Sequence, residues 1–262
     1  MTSWPWPLVA GLDLLNRRGK AVGVRLVKYT GKSPHFIHPK HLVETPGHDW
    51  YVAHLGPGDI VFDVGCANGA HTLKAAARVK RVVGMDYDVA QLRVGAETAR
   101  NRGLDNVHFF AWDLARPFPF PDATFDAALF LDVIEHLDER QPVLREIRRV
   151  LKPGGRLLVS GPNRESRWRE RLRRAGLFAF QDEDHKVEYT RGEFLAEVEA
   201  AGFVVEGPLE PVVYDTPWAG LIDAVGGLSL GIYARLARWK RRRALAEPGE
   251  STGFRALARK PV

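Results

Sequence analysis

Short apolar runs alternate with helical stretches through the middle of the chain. The apolar runs are residues 60–64, 81–86, 107–111, 125–131 and 156–160. They are typical of buried parallel strands, because they are short and nearly continuous in apolar character. The helical stretches between them are residues 70–79, 89–102 and 141–151. This alternation predicts an open parallel sheet with helices on both faces.

The two ends of the chain follow a looser pattern. Residues 1–55 show no clear hydrophobic period and are rich in Pro, His, Lys and Arg, which predicts irregular structure with short helices. Aromatic and aliphatic side chains at helical spacing predict a helical insertion before a last strand at 253–260. The predicted organisation is an N-terminal cap region at 1–55, a core at 56–206, the insertion at 207–250 and the final strand of the core at 251–262.

The composition is that of a globular protein whose core needs no disulfide or metal to supplement it. The chain has 262 residues, of which 45% are hydrophobic and 27% charged. These values exclude collagen-like, coiled-coil and wholly disordered classes. The single cysteine, Cys66, excludes an intramolecular disulfide and a four-cysteine zinc site.

The net charge of +6 is concentrated in two segments. Residues 164–174 contain six arginines and two glutamates, and residues 240–243 are four successive cations. Such segments allow contact with nucleic acid, an anionic membrane or an acidic substrate, and they are also typical of a solvated face of the protein. No run of about 18–20 apolar residues is present, and no cations precede the apolar start at 4–10. The chain is therefore predicted to be cytoplasmic, with a membrane-peripheral location as the alternative.

The strongest chemical signal is a glycine loop between the first predicted strand and the helix after it. It reads Asp63-Val64-Gly65-Cys66-Ala67-Asn68-Gly69. Glycine lets the backbone turn sharply and approach a ligand, and the following helix offers free amides. A dinucleotide loop is one interpretation, but its fingerprint needs glycine where Ala67 and Ala70 stand. The Asp63 carboxylate would repel a pyrophosphate, whereas it suits a ligand with an ammonium group.

Acidic residues follow the next two predicted strands. Asp86 ends the second strand, where a carboxylate can accept hydrogen bonds from both hydroxyls of a ribose. Asp113 follows the third strand, where it can accept from an adenine amine. Each of them alone is also typical of a helix cap or a turn. Together with Asp63 they predict a ligand that has an amine, a ribose and an adenine but no phosphate.

With these motifs the sequence resembles the class I S-adenosylmethionine-dependent methyltransferases, and within them the small-molecule group that includes the quinone-biosynthesis enzymes. The resemblance covers residues 57–206 and 252–261. Besides the glycine loop and the two acids, it rests on Phe125-Asp126-Ala127-Ala128, the segment from Leu131 to Leu137, Leu151-Lys152-Pro153-Gly154-Gly155, and the later pattern of His185, Tyr189-Thr190, Phe194 and Ala201-Gly202-Phe203. Ala67 departs from the family's usual glycine.

The resemblance implies a Rossmann-like α/β fold and a bound cofactor. The sheet would have seven mostly parallel strands in the order 3-2-1-4-5-7-6, with helices on both faces and an antiparallel final strand. The cofactor would be S-adenosyl-L-methionine, bound at the carboxyl edge of the strands. The cofactor-binding residues implied are Asp63, Gly65, Ala67, Gly69, Asp86, Tyr87, Asp113, Leu114 and Leu131.

Two histidines are the predicted catalytic residues. Methyl transfer depends mainly on alignment and exclusion of water, and a base is needed only where the acceptor must lose a proton. His136 and His185 suit that role because imidazole titrates near neutral pH. Asp132-x-x-Glu135-His136 with His185 also resembles the metal-binding arrangement of some quinone and RNA-end methyltransferases, although those have Glu in the first position. No metal is predicted, because the Glu-His pair is common in metal-free relatives.

The predicted acceptor is a small molecule methylated on a hydroxyl or a carbon, and lipid-, quinone- and sugar-like compounds are the candidates. Nucleic acid is disfavoured, because no Asn/Asp-Pro-Pro-Tyr/Phe motif follows the fourth strand. Residues 217–243 are typical of a helix at a membrane surface, but also of a lid or a dimer contact. The alternatives are a nucleic-acid or protein methyltransferase of the same fold and a non-catalytic cofactor-binding module. The sequence leaves the oligomeric state open.

Overall fold

The computed structural model describes residues 4–43 and 49–262. Residues 1–3 and 44–48 of the predicted N-terminal cap region therefore lie outside the described residues. The strands are β1 (Ile60–Val64), β2 (Arg81–Asp86), β3 (Val107–Ala111), β4 (Phe125–Leu131), β5 (Leu151–Pro162), β6 (Val204–Pro211) and β7 (Gly253–Arg259). The helices are α1 (Trp6–Tyr29), α2 (Ala70–Ala76), α3 (Val89–Asn101), α4 (Arg140–Val150), α5 (Arg167–Arg174), α6 (Arg191–Ala200), α7 (Ala219–Leu228) and α8 (Leu230–Ala246).

The seven strands form one sheet in the order β3-β2-β1-β4-β5-β7-β6, which confirms the predicted Rossmann-like α/β fold. The pairs β1–β2, β1–β4, β2–β3 and β4–β5 are parallel. The final strand runs the other way. Gly154 and Gly155 near the start of β5 exchange backbone hydrogen bonds with Lys260 after the end of β7, at 2.9 and 3.0 Å. The parallel pairing of β1 to β4 places their carboxyl ends at one edge of the sheet.

The central strands are buried on both faces because alternate side chains enter two different apolar layers. In β4, Ala128 and Phe130 belong to one cluster, while Ala127 and Leu129 belong to the other. Helix α4 covers the first layer with a buried stripe that includes Leu144 and Ile147. The near-continuous apolar runs of the sequence are therefore strands between two layers of helices, as predicted.

The chain divides into two compact units, which are described separately. The sheet unit comprises residues 49–162, 184–209 and 254–262. The helical unit comprises the described parts of residues 1–48, 163–183 and 210–253. No helix among the residues described here is long and apolar enough to cross a membrane.

The prediction of irregular structure for residues 1–55 is wrong for Trp6–Tyr29, which form the 24-residue helix α1. This helix packs closely on α7 through Gly19 and Gly23, and Leu26 lies against Gly227 further along the same contact. A Cβ on Gly19 would overlap the backbone of Gly220, and one on Gly23 would overlap that of Asp223. The helical period is hidden in the sequence because glycine marks the contact positions.

The predicted helical insertion is confirmed by α7 and α8. Glycine is a weak helix former, yet Gly226 and Gly227 both lie inside α7 and do not end it. The break comes at Ser229, whose backbone leaves the helical region and whose hydroxyl accepts from the Ile232 amide at the start of α8. Gly226 is kept for packing, since a Cβ there would lie 2.6 Å from the Tyr233 ring.

We expect Gly220→Ala to lower the free energy of unfolding of the helical unit by about 1–3 kcal/mol, as other overpacking substitutions do. The added methyl would overlap the Asn16 carbonyl group and separate α7 from α1. Gly231→Ala in α8 is the matched control, because nothing lies within 4 Å of its Cβ position. That control should raise stability by up to about 1 kcal/mol through helix propensity. Urea denaturation measures both, and equal effects would contradict close α1–α7 contact.

Candidate active site

The glycine loop joins β1 to α2 and is held in a left-handed conformation at three positions. Gly65 and Gly69 each have φ of 73°, and Ala67 has φ of 44°. A Cβ on Gly65 would lie 2.7 Å from both Val133 methyl groups, so the loop packs directly on the segment that follows β4. Ala67 adopts its strained conformation while its N–H donates to Asp86 Oδ2 at 2.8 Å.

Asp63 lies near the carboxyl end of β1 and is almost completely buried. The Thr72 hydroxyl on α2 donates to its Oδ2 at 2.6 Å. Burial raises the pKa of the Asp63 carboxyl to about 7, and the charge of Asp86 adds to the shift. A cationic ligand next to this carboxyl group would stabilise its ionised form, so the site favours binding of a positive charge.

The carboxylates predicted for the ribose and the adenine follow the two neighbouring strands. Asp86 ends β2, is buried, and accepts from the amides of Ala67 and Asp88 at 2.8 and 2.9 Å. Asp113 follows β3, and its exposed carboxylate accepts from the Ala115 amide at 2.9 Å. Since the parallel pairing aligns Asp86 with Ala111, these acids lie along the same edge of the sheet as Asp63.

The other predicted cofactor residues differ in exposure. Tyr87 is 79% exposed beside Asp86, Leu114 is half-buried, and Leu131 is buried at the end of β4. Cys66 is buried in the loop, where burial raises the pKa of its thiol and keeps it protonated at neutral pH. Acids, small residues and apolar side chains suit a ligand with an amine, a ribose and a base better than a pyrophosphate.

The two predicted catalytic histidines meet beyond the carboxyl end of β4. The ring centroids of His136 and His185 are 4.9 Å apart and the rings are nearly perpendicular. The Lys186 amide donates to the Glu135 carbonyl at 2.7 Å, which fixes the segment around His185 against that around His136. His136 comes three residues after Val133, whose methyl groups pack on Gly65 of the glycine loop.

A buried carboxylate orients His185. Its Nδ1 lies 2.9 Å from Glu188 Oε1, and at most 7% of either side chain is exposed to solvent. Because an ionised carboxylate only accepts, Nδ1 carries the proton in the neutral ring and Nε2 keeps its lone pair. Nε2 lies 3.9 Å from Glu135 Oε1. His185 is thus arranged to take a proton on Nε2.

Three of the four residues considered for a metal form a cluster. One ligand atom each of Glu135, His136 and His185 lies within 4.8 Å of the other two. Asp132 is not part of this cluster, because the Ser160 hydroxyl donates to its Oδ1 at 2.8 Å and also accepts from its amide. Asp132 also has a left-handed backbone, with φ of 56°. The spacing of Asp132 in the sequence was therefore misleading.

Sequence analysis missed three residues that hold the site together. Thr72 anchors Asp63, Ser160 at the end of β5 anchors Asp132, and Glu188 orients His185. Thr72 and Ser160 are ordinary residues of a helix and a strand, and nothing in their spacing distinguishes them. Glu188 does leave a signal, since it follows His185 by three residues.

Comparison with known proteins agrees with this geometry. A family model for a methyltransferase domain matches residues 62–159. A protein of Mycolicibacterium smegmatis named "Probable S-adenosylmethionine-dependent methyltransferase" is 33% identical over 193 residues, which cover 64% of this chain and 70% of that protein. The 27-O-demethylrifamycin SV methyltransferase of Amycolatopsis mediterranei is 33% identical over 129 residues, or 47% of each chain.

The solved structure of the (4+2)-cyclase SpnF matches with a TM-score of 0.59 and 25% identity, covering 82% of this chain and 80% of that one. The chain thus spans more than two thirds of the first relative but less than half of the second. The relative that is matched over most of its length carries the predicted cofactor in its name. The sheet order, the glycine loop and these matches together show that the chain belongs to the S-adenosylmethionine-dependent methyltransferase family.

Proposed function

We propose that the protein transfers a methyl group from S-adenosylmethionine to a hydroxyl or carbon of a small molecule, with His185 as the base that takes the acceptor's proton. The bound cofactor would supply an activated methyl group on a sulfonium sulfur. The observation that carries the proposal is the pair formed by His185 Nδ1 and Glu188 Oε1, which lie 2.9 Å apart. A base oriented in this way is needed when an acceptor must lose a proton.

The carboxylates at the sheet edge would hold the cofactor by its polar groups. Asp63 would pair with its ammonium group, Asp86 would accept from the ribose hydroxyls and Asp113 from the adenine amine. Gly65, Ala67 and Gly69 leave room for close approach, and Tyr87, Leu114 and Leu131 would cover the ligand. Water exclusion would come from the apolar residues around β4, since burial strengthens every electrostatic contact in the site.

On the acceptor side, His136 would position the substrate next to His185. The Glu188 carboxylate would keep the proton of His185 on Nδ1 and stabilise the imidazolium that forms when Nε2 accepts a second proton. Glu135 lies within reach of the same nitrogen, at 3.9 Å. Lipid-, quinone- and sugar-like hydroxyl compounds are the acceptors to test.

A divalent ion is the alternative way in which this cluster could activate an acceptor. Glu135, His136 and His185 offer one carboxylate and two imidazoles, a donor set that transition metals accept. The ion would orient an acceptor hydroxyl and lower its pKa. Turnover that is lost in a chelator and restored by a metal would favour this role, whereas turnover indifferent to a chelator would favour the base.

Asp86→Ala tests the cofactor site by titration calorimetry. We expect it to weaken S-adenosylmethionine binding by about 1–3 kcal/mol, because the ribose hydroxyls and the Ala67 amide lose their acceptor. Asp105→Ala, an exposed acid of the same unit, is the matched control and should bind like the unmodified protein. Unchanged binding by Asp86→Ala would remove Asp86 from the site. NAD in place of S-adenosylmethionine should give no heat.

Formation of S-adenosylhomocysteine with a panel of quinone, lipid and sugar acceptors tests the transfer itself. Cofactor binding without turnover on any acceptor would instead favour a module that binds S-adenosylmethionine without methyl transfer. A cyclase among the structural neighbours makes this a specific alternative. Salt-sensitive binding to RNA or DNA would favour the nucleic-acid alternative, because phosphate contacts weaken steeply with salt.

A further inference from the structure

The helical unit exposes an unusual share of large apolar side chains. Among the described residues, 19 such side chains are exposed, and 14 of them belong to the helical unit. A scattered set would need no explanation, because isolated apolar residues are common on protein surfaces. These are not scattered on α1 and α7, where they follow the helical repeat.

Four of the six large apolar residues exposed on helix α1 are spaced seven positions apart. Leu8, Leu15, Val22 and Tyr29 are 47, 48, 43 and 75% exposed. Seven residues are close to two turns, so the four side chains form one line along the helix. The residues that contact α7 lie beside this line, since Asn16 and Gly23 each follow one of its members by a single position.

Helix α7 has an exposed apolar line of its own. Leu221 and Leu228 are 42 and 63% exposed, and they too are seven residues apart. The one charged residue of α7, Asp223, is largely buried and pairs with His38 at 3.2 Å. The exposed side of α7 is therefore uncharged.

The two lines lie on the same side of the α1–α7 pair. The helices run in the same direction, since Asn16 contacts Gly220 while Thr30 donates to the Gly227 carbonyl. On α1 the exposed residues come one position before the contact residues, and on α7 they come one position after the contact residues. One residue toward the N-terminus and one residue toward the C-terminus rotate the side-chain direction in opposite senses about the helix axis. Because the two parallel helices face each other, these opposite rotations bring both exposed lines to the same side of the pair. We call Leu8, Leu15, Val22, Tyr29, Leu221 and Leu228 the α1–α7 face.

Positive charge accompanies this face. Arg18 and Arg25 are exposed on α1, also seven residues apart, next to the apolar line and on the side away from α7. The segments of the helical unit contain 19 Lys and Arg against 11 Asp and Glu, a net charge of +8, whereas those of the sheet unit contain 19 against 21, a net charge of −2. The charge of the whole protein is thus concentrated in the unit that exposes the apolar face.

We propose that the α1–α7 face binds the surface of an anionic lipid bilayer. Its leucines and valine would enter the boundary between headgroups and acyl chains, and the arginines would reach the anionic headgroups. A second copy of the chain is the competing occupant, and the exposed arginines disfavour it because two such faces would bring like charges together. The proposal keeps α7 from the predicted membrane contact at 217–243 and adds α1 to it, whereas Tyr233 of α8 is buried in the unit itself. The proposal goes beyond methyl transfer and does not depend on it.

Flotation of the whole protein with lipid vesicles tests the proposal. Vesicles of phosphatidylcholine with roughly one third phosphatidylglycerol should bind the protein. Vesicles of pure phosphatidylcholine should bind it at least about tenfold more weakly. Raising the salt should weaken binding, because the screening length falls from about 10 Å at 0.1 M to about 3 Å at 1 M. Leu15→Gln with Val22→Gln, and separately Arg18→Gln with Arg25→Gln, should each weaken binding about tenfold or more.

Each double variant has a matched control in the sheet unit. Val89→Gln with Val204→Gln changes two exposed apolar residues, and Arg93→Gln with Arg100→Gln changes two exposed arginines seven positions apart on α3. Both controls should bind vesicles like the unmodified protein, and circular dichroism should show all four variants folded. Absence of binding to anionic vesicles, or equal losses in variants and controls, would overturn the proposal. A dimer in sedimentation analysis that Leu15→Gln with Val22→Gln dissociates would identify a second copy as the occupant and overturn it too.

Discussion

Replacement of His185 by glutamine is expected to lower kcat for methyl transfer by about 10²–10⁴-fold, the usual contribution of a general base. Glutamine keeps a polar side chain beside Glu188 but cannot take the acceptor's proton. The affinity for S-adenosylmethionine should stay the same, because the carboxylates of the sheet edge are untouched. Kinetics with an acceptor that turns over, together with calorimetry, measure the two effects separately.

His108→Gln is the matched control for this experiment, since His108 lies on β3 away from the histidine pair. It should leave kcat unchanged. Glu188→Gln should lower kcat less than His185→Gln and shift the pH profile, because the carboxylate orients the ring and stabilises its imidazolium but does not itself take the acceptor's proton. A loss of cofactor affinity equal to the loss of kcat in His185→Gln would show that the residue supports the fold of the site rather than proton transfer.

Replacement of Asp63 by asparagine is expected to remove a pH dependence of stability and to weaken cofactor binding. Burial raises the pKa of Asp63 to about 7 in the folded protein, whereas an unfolded aspartate titrates near 4. The folded state thus holds the extra proton between these values, and the free energy of unfolding falls as the pH rises through about 4–7. At about 1.4 kcal/mol per pKa unit, this group lowers stability above pH 7 by a few kcal/mol.

When the pH is raised from about 5 to 8, the free energy of unfolding of Asp63→Asn should accordingly fall less than that of the unmodified protein. Urea denaturation at each pH measures this difference. S-adenosylmethionine should bind the unmodified protein more weakly as the pH falls below 7, because a protonated Asp63 no longer attracts an ammonium group. Asp105→Asn, with an exposed side chain, is the control and should retain the original pH dependence. An identical pH dependence in Asp63→Asn would exclude Asp63 as its source.

The sheet and its acids could be predicted because each leaves a local pattern. Strands such as β4 are continuous apolar runs, and Asp63 and Asp86 stand at fixed distances from a glycine loop that needs left-handed backbone. The meeting of His136 and His185 follows from nothing local, since the two residues are 49 positions apart along the chain. It was inferred only from the resemblance to a family, and Glu188, which orients His185, was not predicted.

The helical unit was predicted less well because its contacts are made by small residues. The period that reveals a helix is a period of large buried side chains, and on α1 it is interrupted by Gly19 and Gly23, which lie on the buried face between Leu12 and Val27. The apolar line of Leu8, Leu15 and Val22 lies on the outside and obscures the buried period further. Helix α5 was also missed, because its buried face includes Arg169, whose Nε lies 3.1 Å from Asp215.

The pairing of α1 with α7 joins parts of the chain that a ribosome makes far apart in time. Thr30 and Gly227, which share a hydrogen bond, are 197 residues apart. At about 5–20 residues per second, α7 follows α1 by roughly 10–40 s. Throughout that interval the nascent chain presents α1 without its partner, with both its glycine face and its apolar line uncovered. Helix α1 is therefore synthesised long before its packing is complete, and it waits for its partner longer than the strands of the sheet wait for theirs.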